Sequence, residues 1–300
     1  MNFVNKPDHK LNPNLALDLA LNKNEMEIVK IYQNIINNHI TSKKNISDEI
    51  KKKGFEFFKT QGNKSISMND FDVAIIYFKE ALHNNPNDVT CLNNIGFAFI
   101  NKNLYEEAVY YLEKANTLFP NLPNILNNLG MALTKIGKIQ ESKKFLLNAI
   151  KINPDYVSAI YNLGIMYLDL KDYNSAIVEF KRALIINPQF HQAYPKLSKA
   201  YNLIGQFQEA ITINKKGILL FPSLPDLHNS MGITYYNTKN YPEALELFNK
   251  SFKLDNRNYN ALNNIGNVYL KKGAVHNALK AYIKALEIKF PFSEASNSLL

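Results

Sequence analysis

Three hundred residues, 46% hydrophobic and 20% charged, describe a chain able to bury a core, which excludes wholesale disorder. A single cysteine, Cys91, excludes an intramolecular disulfide and any cysteine-rich zinc or iron–sulfur site, and with them a disulfide-stapled secreted domain. The net charge of +9 invites an acidic partner, but Lys and Arg are interspersed with Asp and Glu along the chain, the pattern of a solvated surface.

The first ten residues are polar and lack an apolar h-region, and no stretch reaches the roughly eighteen apolar residues of a membrane span, so a cytoplasmic protein with no membrane partner is expected. Residues 14–40 carry a helical pattern, Leu15, Leu17, Leu19 and Leu21 followed by Ile28, Ile31, Tyr32, Ile35 and Ile36. It reads as a degenerate N-terminal helical cap. The polar segment Thr41 to Lys53 links this cap to the next helix and lengthens that helix, so that 1–54 form the cap and linker.

From residue 55 the chain repeats. Gly62, Gly96, Gly130, Gly164, Gly232 and Gly266 stand at multiples of 34 from one another, and so do Pro86, Pro120, Pro154, Pro188 and Pro222. Ala74, Ala108, Ala176, Ala210, Ala244 and Ala278 share the period, with Ser142 in the remaining slot. So do a second small column, from Ala81 to Ala285 by way of Gly217 and Ser251, and a large one, Phe78, Leu112, Leu146, Phe180, Phe248 and Tyr282. Within 157–190, Ile160, Leu163, Gly164 and Tyr167 make one helical face, helix A. A turn comes next, at Asp169 to Asp172. Tyr173, Ala176, Ile177, Phe180, Ala183 and Leu184 then make helix B, which Asn187-Pro188 ends. Gly164 is expected to face Ala176 where A and B cross closely, and Ala183 to face the next helix A.

Leu163-Gly164, Tyr167, Ala176, Phe180, Ala183 and Pro188 resemble the tetratricopeptide repeat (TPR) signature, and seven units in register match it: 55–88, 89–122, 123–156, 157–190, 191–224, 225–258 and 259–292. The resemblance implies an all-α, right-handed superhelical α-solenoid of about seven TPR helix pairs. Beyond 292, Glu294, Ala295, Leu299 and Leu300 begin a further helix over 293–300, capping or truncated.

In this family the groove residues lie one, four, five and eight places after each unit's start. Those positions include Asn93 and Asn94, Asn127 and Asn128, then Tyr161 and Asn162. The fifth unit supplies Gln192, Pro195, Lys196 and Lys199, the sixth Asp226, Asn229, Ser230 and Ile233, and the seventh Asn260, Asn263, Asn264 and Asn267. Asn94, Asn128, Asn162 and Asn264 share one column, interrupted by Lys196 and Ser230. A row of amides, each donor and acceptor, suits the backbone of an extended peptide and resembles the asparagine ladder of protein O-GlcNAc transferases. About one residue in seven is Asn, however, and that bias alone would populate such a column. Lys59, Asn63 and Asn94 match three members of the basic clamp with which some TPR domains hold acidic C-terminal tails, but Asn124 and Asn128 replace a basic pair.

The fifth unit departs most from the pattern, with Ser198 for Gly, Asn214 for the aromatic, Gly217 for Ala, and Pro195 inside helix A. Lys196 and Lys199 make a basic spot able to receive an acidic side chain or phosphate. The preferred reading is structural, a softer joint, since Gly and Pro weaken helices.

No catalytic constellation, cofactor motif or metal-ligand spacing is present. Cys91 lacks a base, and His191 and His228 read as surface or packing residues. The leading expectation is an adaptor that binds extended peptides or partner proteins in its groove. The alternatives are the recruiting region of a larger enzyme, such as an O-GlcNAc transferase-like glycosyltransferase, and an RNA-binding repeat, for which the groove has too few lysines: Lys135, Lys196, Lys199 and Lys271. The sequence is silent on oligomeric state.

Overall fold

The 3.6-residue spacing from residue 55 onward is realised as helix throughout. The structure, a computed structural model, describes the backbone from residue 44 to 289 and side chains from 54; the segments read as an N-terminal cap and as a further helix over 293–300 lie outside these residues. Fourteen helices pair as A and B in seven repeats: α1 (Lys44–Ser67) with α2 (Phe71–Asn84), α3 (Val89–Asn101) with α4 (Tyr105–Leu118), α5 (Pro123–Lys135) with α6 (Ile139–Ile152), α7 (Val157–Asp169) with α8 (Tyr173–Ile186), α9 (Ala193–Leu203) with α10 (Phe207–Leu220), α11 (Pro225–Asn237) with α12 (Tyr241–Leu254), and α13 (Tyr259–Lys271) with α14 (Val275–Lys289). The first helix begins at Lys44, within the polar linker. The chain divides into two compact units between Ile152 and Asn153, with three pairs in the first and four in the second.

The glycine column exists because of the large residue on helix B, sixteen positions on. A Cβ built on Gly164 would lie 2.7 Å from Phe180 Cε1, and one on Gly130 2.5 Å from Leu146 Cγ. Gly62, Gly96, Gly232 and Gly266 meet Phe78, Leu112, Phe248 and Tyr282 in the same way. Gly164 is thus a hole for the ring of Phe180, which is fully buried. In the third repeat Ser142, in the Ala176 column, donates from Oγ to Gly130 O at 2.7 Å, so the small column lies against the glycine column as well. The second small column does face the next helix A, since a Cβ on Gly217 would come within 2.8 Å of Leu227 Cδ2.

Each A helix ends in the same left-handed residue. Asn69, Asn103, Gly137, Lys171, Gly205, Lys239 and Gly273 all have φ between 58° and 83° and recur every 34 residues. The amide of the residue after it reaches back five positions, as in Leu104 to Phe99 O and Asn240 to Tyr235 O, both at 2.9 Å. This is the Schellman closure of a helix, which turns the chain sharply into helix B. Lys171 and Lys239 hold the position against a steric penalty that glycine escapes. Lys239→Gly is expected to stabilise the array by about 0.5–1 kcal/mol, the steric relief exceeding the entropy glycine adds to the unfolded chain. Urea unfolding measures it; a lower midpoint at unchanged slope would refute it.

The fifth repeat replaces the hole-and-ring pair by a polar one. Asn214, fully buried, donates from Nδ2 to Ser198 Oγ at 2.7 Å, with Thr234 Oγ1 at 3.4 Å. The shorter Asn leaves room for the Ser side chain that a ring would exclude. Tyr194 occupies a slot held by Ile160 in the preceding repeat; it is fully buried and its hydroxyl donates to Pro188 O at 3.0 Å. Gly217 makes space for it, since a Cβ there would stand 3.1 Å from Tyr194 Cγ. Pro195 lies in the first turn of α9, where a missing N–H forfeits no intrahelical bond. The expected softening by Pro195 and Gly217 is thus offset locally: one sits where proline is tolerated, and the other accommodates a larger neighbour.

Candidate functional site

Pro195 has no N–H to donate to His191 O, the bond that would open a helix at 191 as one opens at 157. Accordingly α9 starts at Ala193, two residues later in its repeat than α7, α11 and α13, and has 11 residues against their 13. His191 and Gln192 are left in a turn. Beside them, within the second unit, opens a cavity of about 660 Å³ between successive A helices. Tyr161, Gln192, Pro195, Lys196, Lys199, Asp226, Asn229, Ser230, Ile233 and Asn260 line it, all positions that the sequence assigned to the groove. His191, Asn202, Leu203, Leu224 and Asn237 complete it. The sequence-based choice of groove positions missed these five, although Asn202, Leu203 and Asn237 continue the same helical stripe by one turn.

The lining mixes apolar and polar surface. Tyr161 packs edge-on to Phe190, with centroids 5.2 Å apart, and burial together with the charge of Asp226 pushes its phenol up to about 12. It is a neutral hydrogen-bonding group at any physiological pH. Leu203 and Ile233, both in the lining, are 48% and 36% exposed, and Gln192, Lys199 and Asn260 are exposed around it. This combination offers amide donors and acceptors, a cation, and shallow apolar contacts, the set that an extended peptide uses. Asn202 belongs both to the lining and to the polar pair beneath it, donating to Ser198 O at 3.0 Å and Thr234 Oγ1 at 2.9 Å.

The asparagines of the first unit behave differently. Asn127 Nδ2 donates to Asn128 Oδ1 (3.2 Å), Asn128 Nδ2 to Asn93 Oδ1 (3.0 Å), Asn93 Nδ2 to Asn94 Oδ1 (3.2 Å) and Asn94 Nδ2 to Asn63 Oδ1 (3.0 Å). Five amides form one continuous chain across three repeats, and Asn93, Asn127 and Asn128 are buried. Each amide in the middle of the chain spends one N–H and one lone pair on its neighbours and keeps one of each. In the second unit Asn264 donates to Asn229 Oδ1 at 2.9 Å, Asn162 is buried, Asn263 is half-buried, and Asn267 accepts from Tyr282 Oη at 2.7 Å. Through Asn94, Asn128 and Asn264 the amide column braces neighbouring repeats, and neither Asn162 nor Asn264 is among the residues that line the cavity.

Lys59 is likewise engaged. Its Nζ lies 3.0 Å from Asp88 Oδ2 and 5.1 Å from the Phe55 ring centre. Burial opposes the charge on Asp88, but the Cys91 amide at 2.8 Å and Lys59 outweigh it and hold the carboxyl below its usual range. Asp88 caps α3 in this way, and Lys59 meets a carboxylate of its own chain. Cys91 is fully buried, its thiol pushed up by burial and by Asp88, so thiolate chemistry is suppressed. His228 is buried with Nε2 2.8 Å from Pro222 O, in the slot where Tyr194 makes its bond to Pro188; it is a packing residue, whereas His191 borders the cavity against Phe221. Among the described residues no cluster of His, Cys, Asp and Glu is placed to hold a metal, and no helix is long and apolar enough to cross a membrane.

Tetratricopeptide repeat models match residues 60–123, 123–156, 157–190, 225–258 and 259–291. Among solved structures, a tetratricopeptide repeat protein from Parabacteroides merdae is similar at 19% identity, over 80% of this chain and 95% of that one, with a TM-score of 0.64. TTC0263, a thermophilic TPR protein of Thermus thermophilus, is similar at 18% identity over 61% and 99% of the two chains, with a TM-score of 0.55. Pseudomonas aeruginosa pilF is similar at 15% identity over 68% and 93%, also with a TM-score of 0.55. At these identities the likeness is one of fold. No curated protein sequence matches the chain. The matches are to the repeat at large, and none of them bears on the likeness to O-GlcNAc transferase arrays, which rests on the asparagine column. With the periodic glycines, prolines and alanines folded into helix pairs that the family's models match over most of their length, the chain belongs to the tetratricopeptide repeat family.

Proposed function

We propose that the chain is a protein-interaction scaffold that binds an extended peptide or partner segment in the cavity of its second unit, by recognition and without a reaction. The observation that supports this most directly is the cavity between the A helices, where Gln192, Lys199, Asn229 and Asn260 surround the ring of Tyr161 and the aliphatic surface of Ile233. The second unit is preferred over the first because the cavity opens there, with Gln192, Lys199 and Asn260 exposed around it. The reading as the recruiting arm of a larger enzyme leans on the asparagine column, and that column's partnering within the chain gives it no added support.

Selection of a random peptide display library on the chain provides the ligands for a test. Against the enriched peptides, the variant Gln192→Ala/Lys199→Ala/Asn260→Ala is expected to bind on the order of 100-fold more weakly, from about 1 kcal/mol per lost hydrogen bond. All three side chains are exposed, so the melting curve stays that of the parent. An empty selection, or equal affinity in the variant, overturns the proposal.

A further inference from the structure

The basic residues of the second unit are not as scattered as the linear sequence suggests. Arg182, Lys216, Lys250 and Lys284 recur every 34 residues, one on each of α8, α10, α12 and α14, and Lys181 and Lys215 precede the first two directly. The equivalent positions in the first unit hold Glu80, Lys114 and Asn148, so the row is a property of the second unit. None of these cations lines the cavity, whose helical residues all come from A helices.

The row has few close counter-charges: Glu246 and Glu287 stand one turn from Lys250 and Lys284 on α12 and α14. Among the described residues no acidic side chain stands within ion-pair distance of Lys215, Lys216, Lys250 or Lys284, and Arg182 has only Glu179, at 4.0 Å. Lys181 and Lys284 lie over the rings of Tyr201 and Phe252 at 5.5 and 4.9 Å, contacts that order their stems without cancelling the ammonium charge. One turn beyond the cations, Ile185 and Leu219 are 81% and 83% exposed, in a column that holds His83, Thr117 and Lys151 in the first unit and Lys253 and Glu287 in the last two repeats. Val178, on the same face of α8, is 61% exposed.

We infer that this outer face of the second unit is a docking surface for an anionic lipid bilayer, with the cations over the headgroup phosphates and Ile185 and Leu219 dipping into the interfacial region. Charge complementarity selects an anionic partner. The aliphatic residues select the bilayer: they project as knobs, and a lipid interface receives a projecting side chain without a preformed pocket, while a nucleic-acid backbone has no use for it. Lysine stems of this length reach phosphates while lying along apolar surface. The contact is peripheral, and it leaves the peptide cavity open on the opposite helices, so a groove-bound partner would be held at a membrane surface.

Co-sedimentation of the full chain with vesicles tests this. Binding is expected to phosphatidylcholine vesicles containing phosphatidylglycerol, to be weak to phosphatidylcholine alone, and to fall as salt rises. Lys216→Glu/Lys250→Glu should reduce the partition coefficient by about tenfold or more. Ile185→Ser/Leu219→Ser should weaken binding at high salt as well as low, since its contribution is not screened. The cavity variant Gln192→Ala/Lys199→Ala/Asn260→Ala should partition nearly as the parent, which separates this face from the groove. Equal binding to both vesicle types, no binding at low salt, or parental binding by both double variants overturns the inference. So does a preference for an acidic peptide or single-stranded RNA that leaves the vesicles unbound.

Discussion

Gly164→Leu is expected to destabilise the array by about 1–3 kcal/mol, although leucine is the better helix former. Propensity alone would favour the substitution by about 0.8–1 kcal/mol. Against it stands the ring of Phe180, fully buried, whose Cε1 would be 2.7 Å from the new Cβ before the rest of the leucine is placed. The ring has nowhere to go, because Ala176 and Ala183 on the same helix are themselves fully buried. The helices of the pair must separate, and every apolar contact along them loosens. Urea unfolding of the variant gives the magnitude. Phe180→Ala is the informative companion: alone it should cost about 3–5 kcal/mol through its cavity, and combined with Gly164→Leu the loss should fall below the sum, since leucine fills part of the space. A Gly164→Leu variant as stable as the parent would show that the glycine is not a hole for the ring.

The glycine, alanine and proline columns were readable because each repeats one residue type at one spacing. The helix pairs and their spacing could be placed from them. Other features repeat geometry while varying the residue. The left-handed turn column is filled by Asn, Gly or Lys, so its identity hides its role until φ is seen. The ring of Phe180 as the neighbour of Gly164 was not drawn from the columns, because two small residues suggest mutual approach and do not by themselves point to a large neighbour. The amide chain joins different columns, 35 residues apart for Asn128 and Asn93 and 31 for Asn94 and Asn63. No single-column alignment displays such a link. The basic row was legible in principle, being strictly periodic, but average charge along the chain concealed it.

Asn214→Phe, which restores the residue type found at Phe180 and Phe248, is expected to destabilise the fifth repeat by about 1–3 kcal/mol. The ring would be driven onto Ser198, whose Cβ and Oγ occupy the space that the rings of Phe180 and Phe248 fill beside Gly164 and Gly232. Ser198→Gly alone should also destabilise, by about 1–2 kcal/mol, since it places glycine in mid-helix and leaves the Asn214 amide with Thr234 at 3.4 Å as its remaining partner. The double variant is expected to recover most of both losses, because it exchanges a polar pair for the hole-and-ring pair of the neighbouring repeats and removes Asn214 Oδ1, a buried acceptor with no partner. A double-mutant cycle should thus give a coupling of about 1–3 kcal/mol, whereas strict additivity would mean that the two side chains do not compensate each other. The same double variant bears on function. Asn202 is tied to Ser198 and Thr234 from the cavity side, so the polar pair orients one wall of the cavity. A recovered stability with a weakened peptide affinity would show that the fifth repeat departs from the common packing to shape the groove above it.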